Sequence, residues 1–327
     1  MNDTAQANSA PAPTSPAATS GSTVDTANTA NLWATGNGPV IALFAIGVPL
    51  LLGVSFALAW GLRHAGGNLS KVAANIAQQA RASGARASGN GRRPAASVEQ
   101  SRAEALLARA ASGDVASAQQ VLSESSGWTG RTSRTPRSDQ LVMICLYSRN
   151  FDIRDAGIAA VLAFDGVPRD ATGLARAEQA AGNPNQRLWA LWTLGALANR
   201  GVGSDNAAKA IGSYLSDPDA RTRATAVDGL SLAATDETVP ILLDRFRNDP
   251  SPMVQESAAR DLAEAGMYTH AQRMVAARSL VGWVGDASLS VQQRGWATHA
   301  LTDIAGKSFG NNVVAWQSWY NQQSSSE

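Results

Sequence analysis

Apolar and polar residues are distributed along this chain in three ways. From Pro39 to Leu62 the run PVIALFAIGVPLLLGVSFALAWGL holds 24 residues without one charge and is apolar on every face. From about Ser97 to Ser125 the pattern becomes that of two short amphipathic helices broken at Gly113-Asp114. Residues 126–137 return to Ser, Thr, Gly, Arg and Pro and read as a loop. Beyond residue 138 a helical period recurs in blocks. An Arg or Gln, a small residue three positions on and an aliphatic residue seven positions on occur as Arg154/Gly157/Val161, Arg187/Ala190/Leu194, Arg223/Ala226/Leu230, Gln255/Ala258/Leu262 and Arg294/Ala297/Leu301. Positions 0, 3 and 7 share one helix face, so each block predicts a buried seam.

The five anchors lie 33, 36, 32 and 39 residues apart. Each seam helix follows a turn and a partner helix, the partners falling near 139–149, 171–181, 205–215, 236–247 and 269–283. Three of the turns carry proline: Gly182-Asn183-Pro184-Asn185, Ser216-Asp217-Pro218-Asp219 and Asn248-Asp249-Pro250-Ser251. Pro with Asp or Asn sets turn geometry and then caps the following helix. One helix pair cannot bury its apolar stripe alone, whereas stacked pairs share a continuous core. The expected fold class is all-α, an α-solenoid of about five helix pairs preceded by a single transmembrane helix.

The transmembrane reading rests on the first pattern. Twenty-four helical residues span roughly 36 Å, enough for a hydrocarbon core of about 30 Å. Trp33 and Trp60 bracket the run, as an aromatic belt would. Its length and the missing upstream Lys or Arg set it apart from a cleaved signal peptide. Asp3 and Asp25 are the charged side chains before it; Arg63, Lys71, Arg81, Arg86, Arg92 and Arg93 follow. The positive-inside rule then places the C-terminal part in the cytoplasm, at a cell inner membrane crossed once. The expected organisation is a disordered tail over 1–38, a transmembrane helix over 39–62, a flexible basic linker over 63–96, short helices and a loop forming a candidate N-terminal cap over 97–137, repeats over 138–306, and a capping helix and tail over 307–327.

Charge sharpens this division. The net charge of +1 hides 11 Lys+Arg against 6 Asp+Glu in residues 1–137, and 16 against 20 in residues 138–327. The repeat region is mildly acidic, which argues against nucleic-acid binding. The single cysteine, Cys145, sits inside an apolar run and reads as a small core residue.

The segments SDPDARTRATAVDGLSLA (216–233) and NDPSPMVQESAARDLAEAG (248–266) resemble HEAT repeats, in the short bacterial form related to phycobilin-lyase repeats. The resemblance implies a solenoid over about 138–306 whose turn Asp and helix Arg, six residues apart, stack as a ladder between repeats. Asp217 with Arg223 fits that pattern; Asp249 is followed by Gln255, so the ladder is partial. The closing segment LTDIAGKSFGNNVVAWQSWYNQQ (301–323) resembles the end of bacterial HEAT proteins, with Trp316 and Trp319 on one face to cover the last repeat.

Candidate chemistry is sparse. His64, His270 and His299 have no further ligand at metal spacing, and no phosphate loop, G-x-G-x-x-G motif or nucleophile elbow occurs. No cofactor, metal or catalytic residue is expected. Positions two and five after each anchor should face away from the seam, and they hold Trp189, Trp192, Asp228, Arg260, Trp296 and His299. Trp and Arg are residue types that anchor protein partners. These six form the candidate protein-binding surface, with inter-repeat packing as the alternative role for the tryptophans. The leading reading is a membrane-anchored, non-catalytic scaffold that binds a protein partner, with no nucleic acid and no small-molecule substrate. Two alternatives stand beside it: a lyase-like or cofactor-handling activity resembling the phycobilin-lyase relatives, and the same scaffold facing the periplasm and binding envelope components.

Overall fold

The structure, a computed structural model, describes residues 98–324, and within them the helical period is realised as thirteen α-helices. The expected tail 1–38, transmembrane helix 39–62 and linker 63–96 lie outside the described residues. Among the described residues no helix is long and apolar enough to cross a membrane.

Two helices, α1 (Val98–Ala111) and α2 (Val115–Glu124), precede the repeats and are separated at the Gly113-Asp114 break. Gly113 takes φ 105°, a left-handed geometry that a side chain resists, and Asp114 caps α2 by accepting from the Ser117 N–H. A 3-10 turn, Ser125–Trp128, then brings Trp128 into the core, stacked 6.5 Å from Phe164. Residues 126–137 are therefore less irregular than their composition suggests.

Five helix pairs follow: α3 (Pro136–Leu146) with α4 (Phe151–Phe164), α5 (Ala171–Ala181) with α6 (Arg187–Asn199), α7 (Ser204–Gly212) with α8 (Ala220–Ala233), α9 (Thr238–Asn248) with α10 (Pro252–Arg260), and α11 (His270–Val284) with α12 (Val291–Ala305). The second member of each pair carries the anchor. The small and aliphatic seam residues from Val161 to Leu301 are at most 1% exposed, and Gly157 is buried with them. Gly157 brings α4 onto α3 so closely that a Cβ there would lie 3.0 Å from the Cys145 Cβ. Cys145 itself is fully buried, and desolvation pushes its thiol up to about 12, the signature of a core residue.

The anchors have a role that their spacing did not reveal. Each reaches back to a carbonyl in or beside the turn that precedes its own helix, where backbone acceptors lack helical donors. Arg154 donates to Ser148 O (3.0 Å), Arg187 to Ala181 O (3.1 Å), Arg223 to Asp217 O (2.8 Å) and Gln255 to Asp249 O (2.6 Å), each six residues back. Arg294 bonds Leu289 O in the same manner. The proline turns share a second device: Asn183, Asp217 and Asp249 each accept the N–H of the residue after the proline, at 3.0, 2.9 and 2.8 Å. Side-chain capping of the next helix is less uniform than expected. Asp219 caps α8, whereas α6 and α10 have no side-chain cap.

The Asp–Arg ladder has two rungs that run forward, from an Arg to the turn Asp of the next repeat. Arg187 meets Asp217 at 3.2 Å, and Arg223 grips Asp249 with two bonds of 2.9 Å. At the far end α13 (Val313–Ser324) packs on α11. Trp316 is fully buried and Trp319 4% exposed, edge to face at 5.7 Å, so the pair covers apolar surface at the end of the stack.

Candidate functional site

The α10 helix does not stop at Arg260; it loosens into a π-turn, Asp261–Ala265, closed by the Gly266 N–H to Asp261 O at 3.0 Å. Such turns widen a helix and frequently mark functional positions. Beside this turn lies a cavity of about 30 Å³ lined by Leu146, Arg154, Ile158, Trp192, Asp228, Ser231, Leu232, Arg260, Asp261, Ala265 and Met267. Three successive repeats and the first pair all contribute walls.

Arg154, on α4, reaches across more than 100 residues to the end of the π-turn. Its guanidinium donates to Ala265 O (3.2 Å), Gly266 O (2.9 Å) and Glu264 O. Burial, then the nearby Arg273, lower its pKa to about 10, which leaves it charged at neutral pH. Arg273 donates to the same Gly266 carbonyl at 3.1 Å, and the Phe151 ring lies 5.0 Å from one guanidinium and 5.2 Å from the other. Two cations thus satisfy the carbonyls that the π-turn exposes.

Arg260 is 2% exposed and is shared by three carboxylates: Asp228 at 3.0 Å, Asp261 at 3.3 Å and Glu256 at 3.5 Å. Burial by itself would lower its pKa, but Asp261, Glu256 and Asp228 outweigh that effect and hold it charged. The carboxylates outnumber it. Buried Asp261 Oδ2 and Glu256 Oε1 have no hydrogen-bond partner. Desolvation, then Asp261, raise the Asp228 carboxyl well above its ordinary value, and desolvation raises Glu256 as well.

The six sequence-predicted surface residues are divided by this geometry. Trp192, Asp228 and Arg260 converge on the cavity. The expectation that all six face outward is corrected for two: Trp192 is 8% and Arg260 2% exposed. The reason is that seam helices flank seam helices on both sides, so position five after the anchor meets the adjacent repeat; in α6 every residue from Ala190 to Ala198 is buried. Trp189 is half-buried, donating its indole N–H to Asp165 at 2.9 Å with Arg176 over its ring. Trp296 and His299 are half-buried on α12, away from the cavity lining. Asp261, Arg154 and Met267 were missed, because they become neighbours of Trp192 only through the π-turn and the coiling of the repeats. The run Arg260-Asp261 beside Glu256 was the available signal.

Among the described residues no His, Cys, Asp and Glu group is arranged to hold a metal ion. At about 30 Å³ the cavity is roughly a tenth of an ordinary small-molecule site.

The fold is therefore an α-solenoid with a charged, water-sized cavity among its seam helices. Residues 173–263 match the family model for HEAT repeats, spanning the region from within α5 to within the π-turn. That match and the all-helical repeat architecture support a HEAT-repeat protein, a class suited to protein-interaction scaffolding. Comparison with curated proteins finds no match.

Proposed function

We propose that this chain is a non-catalytic scaffold that binds a protein partner on its solenoid and is held at the cytoplasmic face of a membrane by residues 39–62. The scaffold reading is carried by one observation: among the described residues five helix pairs stack in a HEAT-like array. An extended helical array offers area to a macromolecule. Membrane anchoring is supported by the 24-residue uncharged run and the arginines that follow it.

Two experiments test the reading. Fractionation of cells expressing the full chain should place it with membranes and release it with detergent but not with salt. A reporter fused after Glu327 should be active only as a cytoplasmic fusion; activity of a periplasm-specific reporter would reverse the orientation. For the scaffold role, crosslinking in cells followed by purification should recover a discrete partner protein. Retention of a chromophore or cofactor in its place would favour the lyase-like alternative.

A further inference from the structure

We propose that the helices α1–α4 form a hinged cover over the seam helices α6, α8 and α10, and that the partner protein reaches Trp192 when this cover swings open. The inference rests on the scaffold reading and adds the contact that keeps the binding face closed.

Three observations carry it. The four helices hold to one another. α3 packs on α1, and α4 packs on α2 and α3. Arg102 is bonded to Glu124, Thr135 to Glu104 at 2.7 Å, and Cys145 lies against Gly157. Second, Arg154 leaves the ladder. Arg187 and Arg223 reach the turn Asp of the next repeat, whereas Arg154 passes the second and third pairs and takes the carbonyls of Glu264, Ala265 and Gly266. It thereby clasps the cover to the π-turn of the fourth pair. Third, the joint is polar and incompletely filled. Asp155 pairs with Arg200 at 2.8 Å, Asp165 accepts from Trp189 at 2.9 Å, and the Phe151 ring lies 5.2 Å from the Arg273 guanidinium. Buried Asp155 Oδ1 and Asn199 Oδ1 have no hydrogen-bond partner. Leu146 and Ile158 of the cover line the cavity together with Trp192 and Met267. Polar interfaces between parts of one chain permit relative motion, which dry, close-packed ones resist.

The hinge is the loop 165–170 between α4 and α5, where Gly166 takes φ 64°. Rotation there parts Arg154 from residues 264–266 and leaves its bond to Ser148 O intact, because Ser148 moves with the cover. Water then replaces the carbonyls on the guanidinium, so the exchange of bonds is nearly balanced. Opening uncovers Trp192, Leu232 and Met267, an apolar strip beside Asp228 and Arg260. Trp192, Asp228 and Arg260 belong to the set that the helical period assigns to partner binding, and the first helix pair occupies their face in the closed chain.

The test uses the full chain, solubilised, carrying Ser231→Cys. Ser231 lines the cavity and is 2% exposed, and the change is nearly isosteric. Alkylation by iodoacetamide, followed by peptide mass spectrometry, compares the thiol at position 231 with Cys145, which is buried inside the cover and reports the cover's own unfolding. Position 231 should react at least about tenfold faster than Cys145. Arg154→Gln should speed position 231 by at least about tenfold more and leave Cys145 unchanged. Glutamine retains the bond to Ser148 O, as Gln255 does to Asp249 O, and loses the reach to 264–266. Equal rates at the two thiols, no acceleration in Arg154→Gln, or an equal acceleration at both overturns the proposal. If circular dichroism shows that Arg154→Gln does not fold, Arg200→Gln, which releases Asp155, is read by the same criteria. In cells, the Arg154→Gln chain should crosslink more of the partner than the unmodified chain does; equal recovery overturns the cover's hold on the partner. If neither chain recovers a partner, the scaffold reading falls, and the thiol rates by themselves uphold or overturn the opening.

Discussion

Two successive seam interfaces, α6 on α8 and α8 on α10, are built from the same repeat yet use opposite chemistry. Between α6 and α8 the helices meet backbone to backbone. A Cβ on Gly195 would stand 2.2 Å from the Gly229 carbonyl oxygen, and one on Gly229 would stand 2.7 Å from Leu191 O. Contact there is backbone against backbone and governed by shape. Between α8 and α10 Asp228 meets Arg260, and the cavity lies beside the π-turn. The lesson is that a solenoid's period fixes which residues meet at an interface but not whether the interface is held by packing or by charge.

The comparison can be broken from the charged side first. Arg260→Ala leaves three carboxylates without their shared cation, and a stability loss of about 3–5 kcal/mol is expected in urea unfolding. The loss should shrink at low pH, where the carboxylates are neutral; a pH-independent loss would show that Arg260 acts through packing alone.

On the dry side, Gly195→Ala forces a methyl into a carbonyl that belongs to the backbone and cannot rotate away. A cost of about 1–3 kcal/mol is expected, without change in pH dependence. A stability equal to that of the unmodified chain would mean that the interface is looser than the geometry states.

The third outcome separates the two interfaces by sign. Asp228 has its folded-state pKa raised from the ordinary 3.8, by desolvation and then Asp261. Its protonated form is favoured in the folded chain, so between the unfolded value and the raised one the folded state holds more protons. Stability from this group is present below about pH 4 and declines as pH rises through the folded pKa. Asp228→Asn should flatten that decline, seen as a smaller drop in Tm from acid to neutral pH. Gly195→Ala should leave the slope as it was.

The smallest effect belongs to Trp189. Trp189→Phe keeps the ring but removes the indole donor to Asp165, which Arg134 also engages. A loss of about 1 kcal/mol is expected. A larger loss would move Trp189 from the edge of the repeat contacts to their centre.

Much of the fold was legible because it is local. The seam at Ala190/Leu194 and Ala226/Leu230 follows from one helical period, and the turns at Pro184, Pro218 and Pro250 follow from residues two apart. Trp316 and Trp319 were readable as a cap because three-residue spacing puts them on one side of a helix. The candidate site was half legible. The residues Trp192, Asp228 and Arg260 were selected by period, but the burial of Trp192 and Arg260 was not, since a helix wheel shows direction and not what stands in that direction.

The sequence by itself determined the helix pairs, their turns, the apolar seam and the uncharged run at 39–62, because each depends on neighbours within a few turns of the chain. Tertiary structure alone decided that Gly195 and Gly229 touch, that Arg223 crosses to Asp249, and that Arg154 reaches the carbonyls of 264–266. Those contacts depend on the angle added at every repeat, a small rotation set by side-chain packing that accumulates along the stack and is written at no single position.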